Sequence, residues 1–356
     1  MQADHSATDA TSERLVVVKQ EPFNAETPLS ALSEYFTPNE NFYVRSNFSV
    51  PAVASDTWRL RLGGAVAEQV ELSLDELLSM PARELSVTLE CAGNGRTGFS
   101  PLPPGEPWGH GAVATALWKG VRLASLLEGA GPLTGAVEVL FEGADRGVPG
   151  SGSPEAPFAR SLPMEKALHP DTLLAYEMNG APLPAEHGGP VRLLVPGWYG
   201  MASVKWLAAI TVLERPFTGY YQHERYVLDY PDSDEILPVR DIQVRALITS
   251  PRQGEVVQPG DFTITGVAWS GRGAVASVDV SLEGGGAWRP ARLLDPPAPY
   301  TWRRWEFDGT PTKLGRHVLR ARAIDELGNV QPDVAGWNRL GYCNNAVQAV
   351  VIDVRG

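Results

Sequence analysis

Residues 86–101, Ser-Val-Thr-Leu-Glu-Cys-Ala-Gly-Asn-Gly-Arg-Thr-Gly-Phe-Ser-Pro, leave the backbone few choices. Ser86-Val87-Thr88-Leu89 alternates small polar with apolar side chains and is rich in β-branched residues, which suits a pleated strand. The strand delivers Cys91 into a loop holding Gly93, Gly95 and Gly98, with Arg96 between the last two. Glycine permits positive φ and lets backbone approach a ligand closely. The three glycines spell G-x-G-x-x-G, but a dinucleotide fingerprint needs a helix to begin within it. Pro101, Pro103 and Pro104 follow at once and exclude that helix. A thiol facing free N–H groups and a guanidinium is placed to ionise, as a nucleophile or a metal ligand. The alternative is a buried cysteine that acts as a small hydrophobe in a tight turn.

A chain of 356 residues suits two domains. Glycine, proline and tryptophan are abundant and long helical periodicity is scarce, which favours strands and loops. A net charge of −12 excludes a general nucleic-acid binder. Two cysteines, Cys91 and Cys343, build neither a disulfide framework nor a zinc spacing, and Cys343 reads as structural. No apolar run approaches a membrane span. Residues 1–14 are polar, with neither a secretory nor a twin-arginine pattern, so the expectation is a cytoplasmic protein with a disordered tail over residues 1–20.

Along the chain, Phe42 and Val44 alternate with Tyr43 and Arg45 as on a strand, and residues 58–62 form another that ends at Gly63-Gly64. Ser73-Leu-Asp-Glu76 is a capping box opening a helix that Pro81 stops. A second short helix is expected over residues 123–127, capped near Gly129. Residues 137–142 read as a strand closed by a turn at Asp145, and Asn179-Gly180 as a hairpin turn. The apolar run 191–195 is a buried strand broken by Arg192, and a buried arginine requires an anion. Residues 229–239 read as a polar linker. Beyond it, alternation at Val278, Val280 and Leu282 and at Leu319, Ala321 and Ala323 predicts an all-β, immunoglobulin-like sandwich of about a hundred residues. The domains expected are residues 21–243 and 244–356.

Val87-Thr88-Leu89-Glu90-Cys91-Ala92-Gly93-Asn94-Gly95-Arg96 resembles the molybdenum-binding segment of the sulfite oxidase family, whose cysteine bonds the metal of a pterin cofactor. Nearly the whole chain after about residue 20 shares the resemblance. Tyr43, Val44, Arg45, Ser46 and Asn47 match the segment whose arginine reaches cofactor and substrate anion. Trp108 stands where the family has a tryptophan walling the substrate pocket, Asp145 where an aspartate contacts the pterin, and His187 and Arg192 where a pair binds pterin and phosphate. Ser203, Val204 and Lys205 match a further cofactor-binding stretch. Tyr226 is the choice for the active-site tyrosine, with Tyr220 and Tyr221 as rivals. Animal sulfite oxidases return an arginine to the pocket near the C-terminus; here Leu340 aligns with it and Arg339 sits one position earlier.

The resemblance implies an α+β fold: a mixed α/β molybdopterin-binding catalytic domain followed by an immunoglobulin-like (E-set) domain that makes a homodimer. It implies a molybdenum–molybdopterin cofactor with Cys91 as the sole protein ligand, and oxidation of sulfite to sulfate. The anion would sit between Arg45, Arg96 and Arg339, with Trp108 and Tyr226 shaping the site. The chain has no C-x-x-C-H and the expectation is no haem of its own, so electrons would pass to oxygen, a cytochrome or another carrier. His110 reads as a surface or pocket-edge histidine. Three alternatives remain at this point: the same cofactor acting on another oxyanion or sulfur compound, a hydrolase or transferase using Cys91 with His110 or His187, and a binding protein with a vacant first domain.

Overall fold

The computed structural model describes residues 14–260, 262–310 and 313–356. In chain order the first half comprises β1 (Val16–Lys19), β2 (Asn24–Glu26), β3 (Arg59–Gly64), β4 (Val70–Ser73), β5 (Ala82–Glu90), β6 (Val113–Arg122), β7 (Glu138–Gly147), β8 (Ala156–Pro163), β9 (Leu173–Met178), β10 (Ala181–Pro182), β11 (Arg192–Leu194), β12 (Leu207–Leu213), β13 (Val227–Asp229) and β14 (Ile236–Pro238). Its helices are α1 (Leu74–Ser79), α2 (Leu123–Ala130), α3 (Met164–Ala167) and α4 (Tyr220–His223). The second half comprises β15 (Arg245–Ser250), β16 (Val256–Val257), β17 (Phe262–Trp269), β18 (Val275–Ser281), β19 (Arg289–Pro290), β20 (Arg292–Leu293), β21 (Arg303–Gly309), β22 (Gly315–Asp325) and β23 (Ala349–Val354). Strands dominate both halves, so the expected mixture of helix and sheet holds only in its coarse outline.

Two five-stranded sheets carry the first half. One runs β10-β9-β6-β5 with β11 also on β9; the other runs β4-β3-β12-β7-β8. Leu60, Phe141 and Ile210 of the second meet Val121, Leu174 and Leu193 of the first in one buried core. β7 shows how the sequence selects the pocket face. Its period-two burial carries Val139, Phe141, Gly143 and Asp145 inward in turn. Asp145 therefore lies on a strand rather than in the expected closing turn, where the pairing with β8 shifts register between Glu142 and Arg146.

In the second half a four-stranded sheet, β15-β17-β21-β20, faces a five-stranded one, β16-β23-β22-β18-β19. Ile264, Val278, Val280, Trp305, Leu319 and Ala321 fill the space between them, so the expected alternation is the sandwich core.

Several local expectations need correction. Residues 1–13 of the expected tail lie outside the described residues, and the rest of it is not a tail: Val16 and Val17 of β1 pair with Glu26 and Ala25 of β2. Segment 42–45 is not a strand, since Pro38 sets up a single 3-10 turn over Asn39–Asn41 and Val44 makes only an isolated bridge to Ala25. α2 runs to Ala130, because Gly131 rather than Gly129 takes the left-handed cap at φ 66°. The linker contains an antiparallel hairpin, with Leu228 opposite Leu237. The capping box at Ser73 and Glu76 forms in both directions, and Asn179-Gly180 turns β9 into β10 with positive φ at both residues. None of the helices among the described residues is long and apolar enough to cross a membrane.

Candidate active site

β5 is buried on both faces over its last four residues and ends at Glu90, so that Cys91 is the first residue beyond it. There the Cys91 N–H donates to the Ala112 carbonyl at 2.9 Å, and the Cys91 carbonyl accepts from Asn94 N–H at 2.9 Å. These two bonds turn the chain out of the sheet and leave the thiol on the wall of a partly open cavity. Burial pushes the Cys91 thiol up, against the pull of Arg45 and the Gly93 N–H. The loop alone therefore does not stabilise a thiolate; a cation bound at the sulfur would draw the proton off.

Tyr43, Arg45, Ser46, Asn47, Asp145, His187, Arg192, Ser203, Lys205 and Tyr226 line this cavity with Cys91. Residues scattered over more than 180 positions thus converge on one space. Arg45 donates to Asn47 Oδ1 at 2.6 Å and to Asn24 Oδ1 at 3.3 Å, and its guanidinium lies 3.9 Å from Glu106. Arg192 donates to the carbonyls of His187 and Ser203, both at 2.9 Å. Lys205 donates to Ser46 Oγ at 2.9 Å and the Glu186 carbonyl at 2.8 Å. The hydrogen bonds of Arg192 and Lys205 end on neutral oxygens, so their charges are not cancelled by a partner at contact. The strain shows in their acidities. Burial pulls Arg192 down to about 10, and burial together with Arg192 pulls Lys205 well below its ordinary value. An anion entering here would relieve both.

The polar groups opposite suit a heteroaromatic, hydrogen-bonding guest. Burial raises Asp145 to about 6, with Lys205 holding it down. His187 donates from Nε2 to the Asn39 carbonyl, 3.1 Å away, and burial with Lys205 nearby lowers it to about 3. It is a neutral imidazole at ordinary pH. Tyr226 takes a positive φ of 54°, stacks on Tyr342 at 5.3 Å and meets Asn47 through its hydroxyl at 3.3 Å. Tyr220 and Tyr221 do not line the cavity. Tyr221 packs instead against Phe158 and Phe48.

Five of the expected site residues lie elsewhere. Arg96 is buried, but its guanidinium is held by the Glu106 carbonyl at 2.7 Å and the Leu340 carbonyl at 3.2 Å, outside the cavity wall. Trp108 is buried in the apolar cluster around β5 and β6 and does not reach the cavity. Val44 and Val204 serve through backbone, Val44 bridging Ala25 and Val204 accepting from Leu193 N–H at 2.8 Å. Arg339 is a surface residue: its side chain pairs with Asp229 at 2.7 Å and is 64% exposed. Leu340 packs against the core, so the one-position offset does place the charge on the opposite side of the segment. His110 meets Arg245 at 2.8 Å rather than standing at a pocket edge.

Sequence reasoning also missed lining residues. Gly200, Met201 and Trp206 close the cavity beside Ser203. A Cβ on Gly200 would come to 2.8 Å from the Tyr43 hydroxyl, so the close approach requires glycine. The Gly197-Trp-Tyr-Gly200 punctuation was the available signal.

The site fits a large anionic cofactor with a metal at Cys91. Among the described residues no group of three or more His, Cys, Asp or Glu side chains is arranged to hold a metal ion. A metal at the thiol would therefore take its other ligands from a cofactor, and Arg192 and Lys205, whose hydrogen bonds end on neutral oxygens, suit that cofactor's phosphate.

Comparison with known proteins gives the same picture. Residues 47–221 match the family model described as oxidoreductase molybdopterin binding domain, and residues 237–355 match Mo-co oxidoreductase dimerisation domain. The chain is 41% identical over 359 residues to sulfite oxidase of Gallus gallus, covering 93% of this chain and 76% of that protein. It is 40% identical over 364 residues to mitochondrial sulfite oxidase of Homo sapiens, covering 96% of this chain and 66% of that one. Among solved structures, the sulfane dehydrogenase SoxCD of Paracoccus pantotrophus superposes with a TM-score of 0.81 at 29% identity, covering 100% of this chain and 90% of that chain.

Proposed function

This chain belongs to the sulfite oxidase family of molybdopterin oxidoreductases, and we propose that it oxidises sulfite to sulfate. The observation carrying this reading is the buried Cys91 thiol sharing a cavity with Arg45 and with Arg192 and Lys205, whose own hydrogen bonds end only on neutral oxygens. Sulfite and water give sulfate, two protons and two electrons, the electrons leaving to oxygen, a cytochrome or another external carrier.

When bound, the molybdenum cofactor supplies oxygen-atom transfer and takes up the electron pair. The chain's own residues do the rest. Cys91 would hold the metal through sulfur. Arg192, with its planar fork, and Lys205 hold the phosphate. Asp145 would accept N–H donors from the pterin, contacts that favour its ionised form. His187 stays neutral and orients through Asn39. Arg45 draws the substrate anion. Asn47 and Tyr226 share a hydroxyl contact that can hold and pass a proton near the reacting oxygen.

Another sulfur compound or oxyanion is the second reading. Arg96 is enclosed by carbonyls and Arg339 is on the surface, so Arg45 carries the substrate side without those two. The cysteine-hydrolase alternative loses its base: His187 is engaged at the Asn39 carbonyl and His110 at Arg245. The second domain is proposed to be immunoglobulin-like and to make a homodimer. Its facing four- and five-stranded sheets and the exposed Leu314, Leu327 and Val334 support that.

The test is metal analysis of purified protein followed by sulfite-dependent reduction of cytochrome c and ferricyanide. The expected result is near-stoichiometric molybdenum and turnover with sulfite, both lost in Cys91→Ser. Molybdenum retained in Cys91→Ser, or a loaded parent inert toward sulfite, would overturn the assignment.

A further inference from the structure

Glu90, the residue before Cys91, is paired with Arg245 of β15 at 3.1 Å, and the two side chains are only 2% and 3% exposed. Withdrawing two charges from water this completely is expensive, and the attraction offsets it only when the remaining polar atoms are also satisfied. Here they are. Glu90 Oε1 also accepts from Asn94 Nδ2 at 2.9 Å, and Oε2 accepts from Trp269 Nε1 of β17 at 2.8 Å. Arg245 meets His110 Nδ1 at 2.8 Å and reaches the Asn94 carbonyl at 3.5 Å. Asn94 Oδ1 accepts from Ala112 N–H at 3.2 Å.

The arrangement brackets the cysteine. Glu90 and Asn94 stand on either side of Cys91 in sequence, and Arg245 binds both. Gly95 fits because the guanidinium packs against it: a Cβ there would lie 2.9 Å from Arg245 Nη2. From another side, Cys343 N–H donates to the Ala92 carbonyl at 2.8 Å and Asn344 Nδ2 to the Gly95 carbonyl at 2.7 Å. Ala112 and His110 of the first half support the loop as well, but Arg245, Trp269, Cys343 and Asn344 all reach it from the second domain. A buried ion pair is weak evidence for stability; its better attested use is to fix one arrangement against its neighbours.

We propose that the Glu90–Arg245 pair, completed by Trp269 and Asn94, is a clamp through which the second domain positions the Cys91 loop. Arg245 is a positioning residue: it does not line the cavity and reaches the cysteine loop through Glu90 and Asn94. Its consequence for metal retention rests on the function proposed above, but the clamp itself can be read on metal-free protein.

The test compares full-length parent, Arg245→Met, Arg245→Lys, Glu90→Gln and Gln331→Ala. Gln331 is a buried bridge between Ala246 and Ala323 inside the second domain and controls for general destabilisation. Iodoacetamide alkylation of Cys91 in metal-free protein is followed by peptide mass spectrometry at one pH, beside thermal melts. Arg245→Met should raise the Cys91 rate at least tenfold, Glu90→Gln about threefold, and Arg245→Lys should fall between parent and Arg245→Met. Gln331→Ala should leave it within twofold despite a lower Tm. Molybdenum retained through gel filtration should follow the same order. Folded Glu90→Gln and Arg245→Met with parental alkylation rates would overturn the clamp, as would Gln331→Ala raising the rate equally. Should Arg245→Met not fold, Glu90→Gln, nearly isosteric, decides alone. A parent without molybdenum but with the expected alkylation order would support the clamp and defeat the proposed function.

Discussion

Asp145 is a carboxyl held ready for a guest, and its acidity turns that statement into a measurement. Burial raises it from 3.8 to about 6. Between those values the folded chain keeps a proton that the unfolded chain has released, so stability falls as pH rises through the window and stays lower above it. Two units correspond to about 3 kcal/mol. His187, lowered to about 3, runs the other way over an overlapping range, so the useful quantity is a difference between proteins. In cofactor-free protein, Asp145→Asn should match the parent below about pH 4 and exceed it by about 3 kcal/mol above about pH 6.5. Denaturant melts across the range check this, and a flat difference would contradict the raised carboxyl. Once loaded, the same variant should release cofactor faster. The arginines divide along similar lines. Arg45→Gln should raise KM for the anion at least tenfold, whereas Arg339→Gln should leave steady-state constants unchanged, because the exposed Arg339 is paired with Asp229 away from the cavity. Arg192 and Cys91 were legible because a charge in an apolar run and a thiol at a strand end each demand an explanation. Arg339 was not: a single-residue offset decides its side, and sequence carries that only through the Asp229 hydrogen bond formed by the fold.

At the scale of elements, local chemistry was readable where the sequence itself closes the interaction. The α1 capping box is such a case: Ser73 Oγ accepts from Glu76 N–H at 3.3 Å and Glu76 returns to Ser73 N–H at 2.8 Å. Ser73→Ala should cost about 1 kcal/mol, a Tm lower by about 1–2 °C, without changing molybdenum content or KM. Loss of cofactor in that variant would mean α1 is more than scaffold. Where an element depends on a distant partner, the reading failed. Residues 229–239 are polar enough for a linker, yet Val227 and Pro238 find each other across a hairpin. Asp145 read as a turn residue because the strand pairing that carries β7 onward comes from β8, whose Pro157 and Ala156 lie opposite Arg146 and Gly147. Arg245 escaped notice although it obeys the Arg192 argument. The anion that explains it is Glu90, 155 positions away.

The whole molecule is less divisible than its two family matches suggest. One core holds Ala92, Val113 and Met201 of the first half together with Leu247, Trp269, Trp302 and Tyr342 of the second. Trp302 is fully buried, donates through Nε1 to the Tyr35 carbonyl at 2.9 Å, and its N–H meets Thr88 Oγ1 at 2.9 Å. Thr88 in turn donates to the Tyr300 carbonyl at 2.8 Å, beside the cysteine strand. Burying a tryptophan removes roughly 200 Å² from water, about 5 kcal/mol gross at 25 cal/mol per Å². Trp269 and Trp302 together thus approach the roughly 5–15 kcal/mol by which a typical domain is stable. Neither half can keep that surface covered while the other unfolds. Scanning calorimetry of the metal-free chain should therefore show one transition, with calorimetric and van't Hoff enthalpies in agreement. Trp302→Ala should destabilise the whole transition by about 3–5 kcal/mol rather than split it. Two resolved peaks in the parent would show that the halves unfold independently and that the shared core does not couple them.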